Sequence, residues 1–231
     1  MDCAVKITFL VSSLAAAAFV AGSLQAQSPP PLRPLPPLVP ESGGNEPVSA
    51  AAAPPEVVAE AVAAVARLGN EVVLGRYQVA VERMNPMWKE RTAKRMGGME
   101  ELEKQLSGVA KQMVQQGISM ISFKPQGQPR SFEVGPGRKV EVVDGKEVES
   151  LIFNKWLVLI PTATTFRIIQ QGAPKPMVIE SIGFQVAIAD KATNDWTFID
   201  GSGLTLNDLR SMFVTLPNDL EFPPLEKREI R

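Results

Sequence analysis

Apolar residues between Val57 and Leu68 recur every three or four positions, at Val57, Val58, Ala61, Val62, Val65 and Leu68. That period puts one stripe on one side of a helix. Pro54-Pro55 just ahead suits a helix entrance, where a missing N–H costs little. Gly69-Asn70 and Gly75 are expected to weaken or bend the path. A second helical stretch is predicted from about Tyr77, interrupted at Asn85-Pro86 because proline disfavours helical geometry in the residue before it. Gly97-Gly98 should end it. A third helix carries the stripe Met99, Leu102, Leu106, Val109, Ala110, Met113 and Val114, with Glu100, Glu101, Glu103, Lys104 and Lys111 facing away and Gly117 as C-cap. The stripe reads as core packing, not as a ligand box.

From Ile118 the period changes to that of strands. Val140 to Val143 run into Asp144-Gly145, a tight-hairpin signal, and the chain returns through Lys146 to Glu149. Leu151 to Ile160 is nearly all apolar, which predicts a central strand covered on both faces. Pro161 is expected to bulge or end its ladder, and a further strand takes in Thr164 to Gln170. In Val178 to Asp190 the even positions Val178, Ile182, Phe184, Val186 and Ile188 are bulky, while Ser181, Gly183, Ala187 and Ala189 are small. That alternation makes one heavy face and one light one. Asn194-Asp195 turns the chain into Trp196 to Ile199, ending at Asp200-Gly201. A short helix, Leu206 to Phe213, opens on a capping-box spacing of Thr205 and Asp208. Pro217, Pro223 and Pro224 predict an irregular tail.

The fold class is therefore α+β: three N-terminal helices packed on a curved, mainly antiparallel sheet. Two segments precede it. Residues 1–26 have the layout of a secretory signal: Lys6, an apolar run from Ile7 to Ala21, and a small residue at Ala26. The run is shorter than the roughly 20 residues of a spanning helix. Residues 27–55 hold ten of the twenty prolines and read as an extended, solvated linker. Residues 56–231 have the size of one domain. The expected location is outside the cytoplasm, periplasmic or extracellular, with no stable membrane span after cleavage.

Composition narrows the chemistry. The chain has no histidine, and its one cysteine, Cys3, lies in the expected signal. Imidazole bases, histidine-ligated metals, thiolate nucleophiles and disulfides are thereby removed from the domain. Lys6 and Arg33 taken from 24 bases, and Asp2, Glu41 and Glu46 from 25 acids, leave 22 of each in the domain. A neutral domain carries no footprint for nucleic acid. The one local excess, Arg83, Lys89, Arg91, Lys94 and Arg95, reads as a solvated helix face in preference to an anion site. Asp144, Asp190, Asp195 and Asp200 each fall at a turn or strand end, where aspartate bonds nearby backbone. Gly201-Ser202-Gly203 reads as a flexible connection, and no phosphate loop or nucleophile elbow is present. No cofactor and no catalytic or metal-binding residue is predicted.

Gly75-Arg76-Tyr77, Asn85-Pro86, Gly97-Gly98-Met99-Glu100 and Gly117-Ile118-Ser119 follow one another through the helical half. Together with Phe184 to Asp190, Trp196 to Asp200 and Leu209 to Pro224, this series resembles uncharacterised exported bacterial proteins of the nuclear-transport-factor-2-like, or cystatin-like cone, superfamily. The resemblance covers roughly residues 65–224, with a longer insertion at about Gly135 to Ser150. It implies a pocket between the helices and the concave sheet, and some members are isomerases, dehydratases or cyclases. Side-chain type and helix placement nominate Tyr77, Met84, Trp88 and Trp156 as its lining. Trp196, alternating with Phe198, reads as core.

Three functions stay open at this point. The leading one is an exported, non-catalytic module that binds a small apolar ligand or an envelope protein. The alternatives are a small-molecule isomerase or dehydratase with a carboxylate in the pocket, and a structural accessory of the envelope that forms a homodimer.

Overall fold

The structure, a computed structural model, describes residues 52–135, 138–143, 146–170 and 175–230. The expected signal and all of the expected linker before residue 52 lie outside the described residues, as does the Asp144-Gly145 loop. Within that span the protein is α+β, with a mainly antiparallel sheet and several helices.

The helical half comes first. Helix α1 (Pro55–Val73) starts on proline and buries Val57, Ala61, Ala64, Val65, Gly69 and Val72. It continues unbroken through Gly69-Asn70 to Val73. Gly69 is there for close approach: a Cβ at this position would lie 1.8 Å from Cδ1 of Phe123. The predicted second stretch is two helices, α2 (Gln78–Glu82) and α3 (Pro86–Met96), separated at Asn85-Pro86. The Asn85 side chain accepts from the Trp88 backbone N–H at 3.3 Å and caps α3. Gly97, at φ 93°, supplies the left-handed turn that ends it. Helix α4 (Met99–Gln115) completes the group.

Two long strands form the middle of the sheet. Strand β5 (Lys155–Ile168) and β6 (Met177–Asp190) pair along their full length, from Lys155 opposite Asp190 to Ile168 opposite Met177. Shorter strands share their outer edges. β1 (Ile118–Pro125) and β2 (Arg130–Val134) lie end to end along β5. β7 (Thr197–Asp200) and β8 (Glu226–Ile230) do the same along β6. A separate hairpin, β3 (Arg138–Val143) with β4 (Lys146–Leu151), has Val143 opposite Lys146, the register of the predicted tight turn. It falls in the longer insertion.

Two expectations are corrected here. Pro161 neither ends nor splits its strand, because its carbonyl accepts from Gln126 N, in the gap between β1 and β2. The missing proline N–H faces that same gap, so no ladder bond is lost. The tail is also not irregular to its end. β8 carries Glu-Lys-Arg-Glu-Ile, all exposed, and no alternation marks it; only the unpaired edge of Met177–Ile182 makes it a strand.

Successive residues of β5 feed opposite cores. Leu157 and Leu159 join Phe184, Val186, Ile188 and Trp88 beneath α3 and the short helix α5 (Leu206–Met212). Val158 and Ile160 join Ala187, Ala189, Trp196 and Phe198 beneath α1. From Lys155 to Ile160 the strand is thus covered on both faces as predicted, although Leu151 closes β4 and does not open this strand, and Trp196 is core. The heavy face of β6 meets α3 and α5; its light face meets α1, whose alanines bring the helix close.

Candidate functional site

The light face of β6 changes character along its length. From Asp190 backwards it offers Ala189, Ala187, Gln185, Gly183 and Ser181, and the facing positions of β5 are Trp156, Val158, Ile160, Thr162 and Thr164. Against the first part, α1 packs Ala61, Ala64 and Val65 and leaves no room. Beyond Ile160 the side chains become small or polar, and the helices stand off. A cavity of about 430 Å³ opens there. Its floor includes Thr162, Thr164, Ser181, Gly183 and Gln185, and its roof includes Leu68 and Val72 of α1, Ala80 and Val81 of α2, and Leu106 and Val109 of α4. The volume falls in the range of small-molecule sites, which runs from about 300 to 1,000 Å³.

Of the four residues nominated from the sequence, Tyr77, Met84 and Trp88 line this cavity. Trp88 does so from the core: it is 2% exposed and packs in the cluster beneath α3 and α5. Trp156 lies apart from the lining. It packs on the α1 side of the dry half, and the Lys191 ammonium sits 4.4 Å from its ring centroid. The α4 stripe divides, which corrects its reading as core throughout. Leu102 and Met113 are buried, Leu106 and Val109 face the cavity, and Met99 and Val114 are exposed.

The sequence reading missed the polar end of the cavity. Asp200 closes β7 directly opposite Gln185. Its carboxylate accepts from Gln185 Nε2 at 2.9 Å, from the Ser202 backbone N–H at 2.8 Å, and from the Ser202 hydroxyl. The turn role predicted for Asp200 is therefore present, and the same side chain lines the cavity. Gly201-Ser202-Gly203 is a single 3-10 turn. Gln185 is buried at 9% exposure, which pins the pair. The signal was available: the polar entries in the light face of β6 mark where packing gives way to space. Lys227 on β8, opposite Ser181, also lines the cavity, and partial desolvation there pushes its amine below the ordinary lysine range.

The basic cluster is partly exposed, as a solvated face would be, and its members pair with acids. Arg83 pairs with Asp195 at 2.6 Å, Lys89 with Glu103 at 3.2 Å and Lys94 with Glu90 at 3.0 Å. Arg91 and Arg95 both reach Asp208, a buried carboxylate in α5. Asp208 also completes the predicted capping box with Thr205. Burial raises its pKa, but hydrogen bonds from Arg95 and Thr205 and the Arg95 charge outweigh that and hold it below the usual carboxylate value. Asp190 likewise bonds backbone, accepting from Ala192 N at 2.9 Å. Asp144 lies outside the described residues.

Among the described residues no group of three or more acids, histidines or cysteines is placed to hold a metal ion. Among them, too, no helix is long and apolar enough to cross a membrane. Compared with protein-family models, curated proteins and solved structures, the chain matches none.

Proposed function

We propose that this protein is an exported, non-catalytic binding module that takes a small, largely apolar molecule into the space between its helices and its sheet. The observation that carries the reading is the cavity of about 430 Å³, walled mainly by apolar side chains. Helices followed by antiparallel strands, with a hollow between the layers, also support a cone-like fold of the superfamily named above. The N-terminal pattern of Lys6, an apolar run and Ala26 supports export by a cleaved signal, with the proline-rich stretch as a spacer. Two measurements test this. A solvatochromic apolar dye, Nile red, should brighten and shift to the blue on saturable binding to the purified protein. The protein recovered from an expressing cell's periplasm or medium should begin near residue 27 on N-terminal sequencing. A dye that stays dark removes the ligand reading, and an intact Met1 removes the export reading.

A second reading has one observation in its favour. Asp200 and Tyr77 both line the cavity, and a carboxylate with a phenol is a pair of groups that proton abstraction beside a carbonyl can use. The absence of histidine and the engagement of Asp200 by Gln185 and Ser202 favour binding over turnover. Turnover of an unsaturated ketone that Asp200→Asn abolishes would reverse that order.

A further inference from the structure

The floor of the cavity narrows the class of ligand, an inference that rests on the binding reading above. We infer that the occupant is a neutral, oxygen-bearing apolar molecule, an alcohol or a ketone, whose oxygen is seated on the hydroxyls of Thr162, Thr164 and Ser181.

Three observations lead there. Strand alternation turns Thr162 and Thr164 of β5 and Ser181 of β6 toward the helices, and all three line the cavity. Thr162 is only 4% exposed, and among the described residues none of the three hydroxyls holds a hydrogen-bond partner. A hydroxyl enclosed by apolar side chains without a partner is unfavourable, so the floor is short of hydrogen bonds that an occupant can supply. Second, the register groups these hydroxyls around a notch. Thr164 stands directly opposite Ser181, with side chains about 5 Å apart, and Thr162 stands opposite Gly183. Gly183 fills no space, and a Cβ there would meet only Leu225, at 3.7 Å. An oxygen lowered over Gly183 therefore has hydroxyls on two sides. Third, the charged groups of the wall are occupied elsewhere. Asp200 accepts from Gln185 and Ser202, Lys227 is itself engaged, and Glu226 is exposed on the edge strand β8. A hydroxyl both donates and accepts, which suits an alcohol or carbonyl oxygen, whereas a charged head group would exchange its water for neutral partners alone. Overhead, Leu68, Val72, Leu106 and Val109 cover an apolar body.

The test compares head groups on one apolar chain. 1-Octanol, 1-chlorooctane, octanoate and octylamine compete for Nile red bound to the full chain at pH 7. 1-Octanol should match or beat 1-chlorooctane, although the chloride is the more apolar, and should beat both ions. In the double variant Thr162→Val, Thr164→Val, which keeps side-chain shape, 1-octanol should weaken about fivefold once the variant's own dye affinity is taken into account. 1-Chlorooctane should hold or tighten there. The two competitors moving together would overturn the inference, as would 1-chlorooctane ahead of 1-octanol in the unaltered protein. Octanoate or octylamine binding tightest would overturn it too, and would assign the head group to a charged residue of the wall. If the variant does not fold, the ranking in the unaltered protein decides alone. Failure of Nile red to bind at all retires the binding reading, and this inference with it.

Discussion

The same two strands run the length of the sheet, yet one stretch of them is a dry core and the next a hollow. From residues 155 to 160 and 186 to 190, β5 and β6 are packed on both faces; around Thr162, Thr164, Ser181, Gly183 and Gln185 the face toward the helices is open, and beyond it Phe166 and Ile168 pack again with Met113 and Ile118. Backbone geometry does not distinguish them, since the pairing register is unbroken. Side-chain size on one face does. Val158, Ile160, Ala187 and Ala189 mesh with the alanines of α1, whereas Thr162, Thr164, Gly183 and Ser181 fill less space under Leu68 and Val72. A helix that lies close at one end and is propped by Phe123 at the other leaves a gap that the small residues do not fill. Cavities cost stability, so the packed half must supply what the hollow half gives up.

Substitutions in the two halves should separate stability from binding. The largest effect belongs to Trp88→Ala, which empties a buried site in the packed cluster and should cost about 3–5 kcal/mol, measured by urea denaturation. A residue that only lined the pocket would weaken a ligand when substituted and spare the fold; the burial of Trp88 makes it a stability change first. A variant within about 1 kcal/mol of the parent would return Trp88 to the role of lining residue.

Asp208→Ala comes next, at about 2–3 kcal/mol from the lost cap and the lost arginine hydrogen bonds. Its pH dependence has a definite sign. The folded pKa is depressed, so the carboxylate's contribution is complete above the unfolded value of about 3.9 and is lost as pH falls through the lower folded value. The stability gap between parent and variant should accordingly be constant from pH 5 to 7 and close below pH 4. A gap that widened in acid would show that the charge is unfavourable in the folded state.

Gly69→Ala should cost about 1–2 kcal/mol, although alanine is by far the better helix former, because its methyl overlaps the Phe123 ring. Displacing that ring moves it within the cavity wall, so Nile red affinity should fall too. Unchanged binding with raised stability would mean that α1 sits further from β1 than the structure has it. Thr164→Val is the smallest change. It should alter stability by less than about 0.5 kcal/mol while tightening Nile red two- to fivefold, since an apolar methyl replaces a hydroxyl on the cavity floor. The same change at a dry position could not produce that pattern.

Much of the architecture could be read locally. The stripe of α1, the breaker at Asn85-Pro86, the pairing of β3 with β4, the heavy and light faces of β6 and the Thr205–Asp208 cap are near-neighbour relations, and each has its predicted counterpart in the structure. Three of the four nominated lining residues lie at the cavity for a related reason: Tyr77, Met84 and Trp88 fall in or beside the short helices at its edge.

What required the tertiary structure depended on partners distant in sequence. Pro161 is harmless only because β1 and β2 leave a gap opposite it, and β8 is a strand only because β6 has a free edge. Five bases that look like a surface cluster are each matched by an acid, and Asp208 is 117 residues from Arg91. Asp200 reads as a turn residue from its neighbours and becomes a cavity wall only when Gln185 is brought against it. Side-chain periodicity reports which face is buried, because it follows from the geometry of one element. It cannot report how far two buried faces stand apart, since that distance is set by the bulk of residues on separate elements, and here that distance makes the difference between core and cavity.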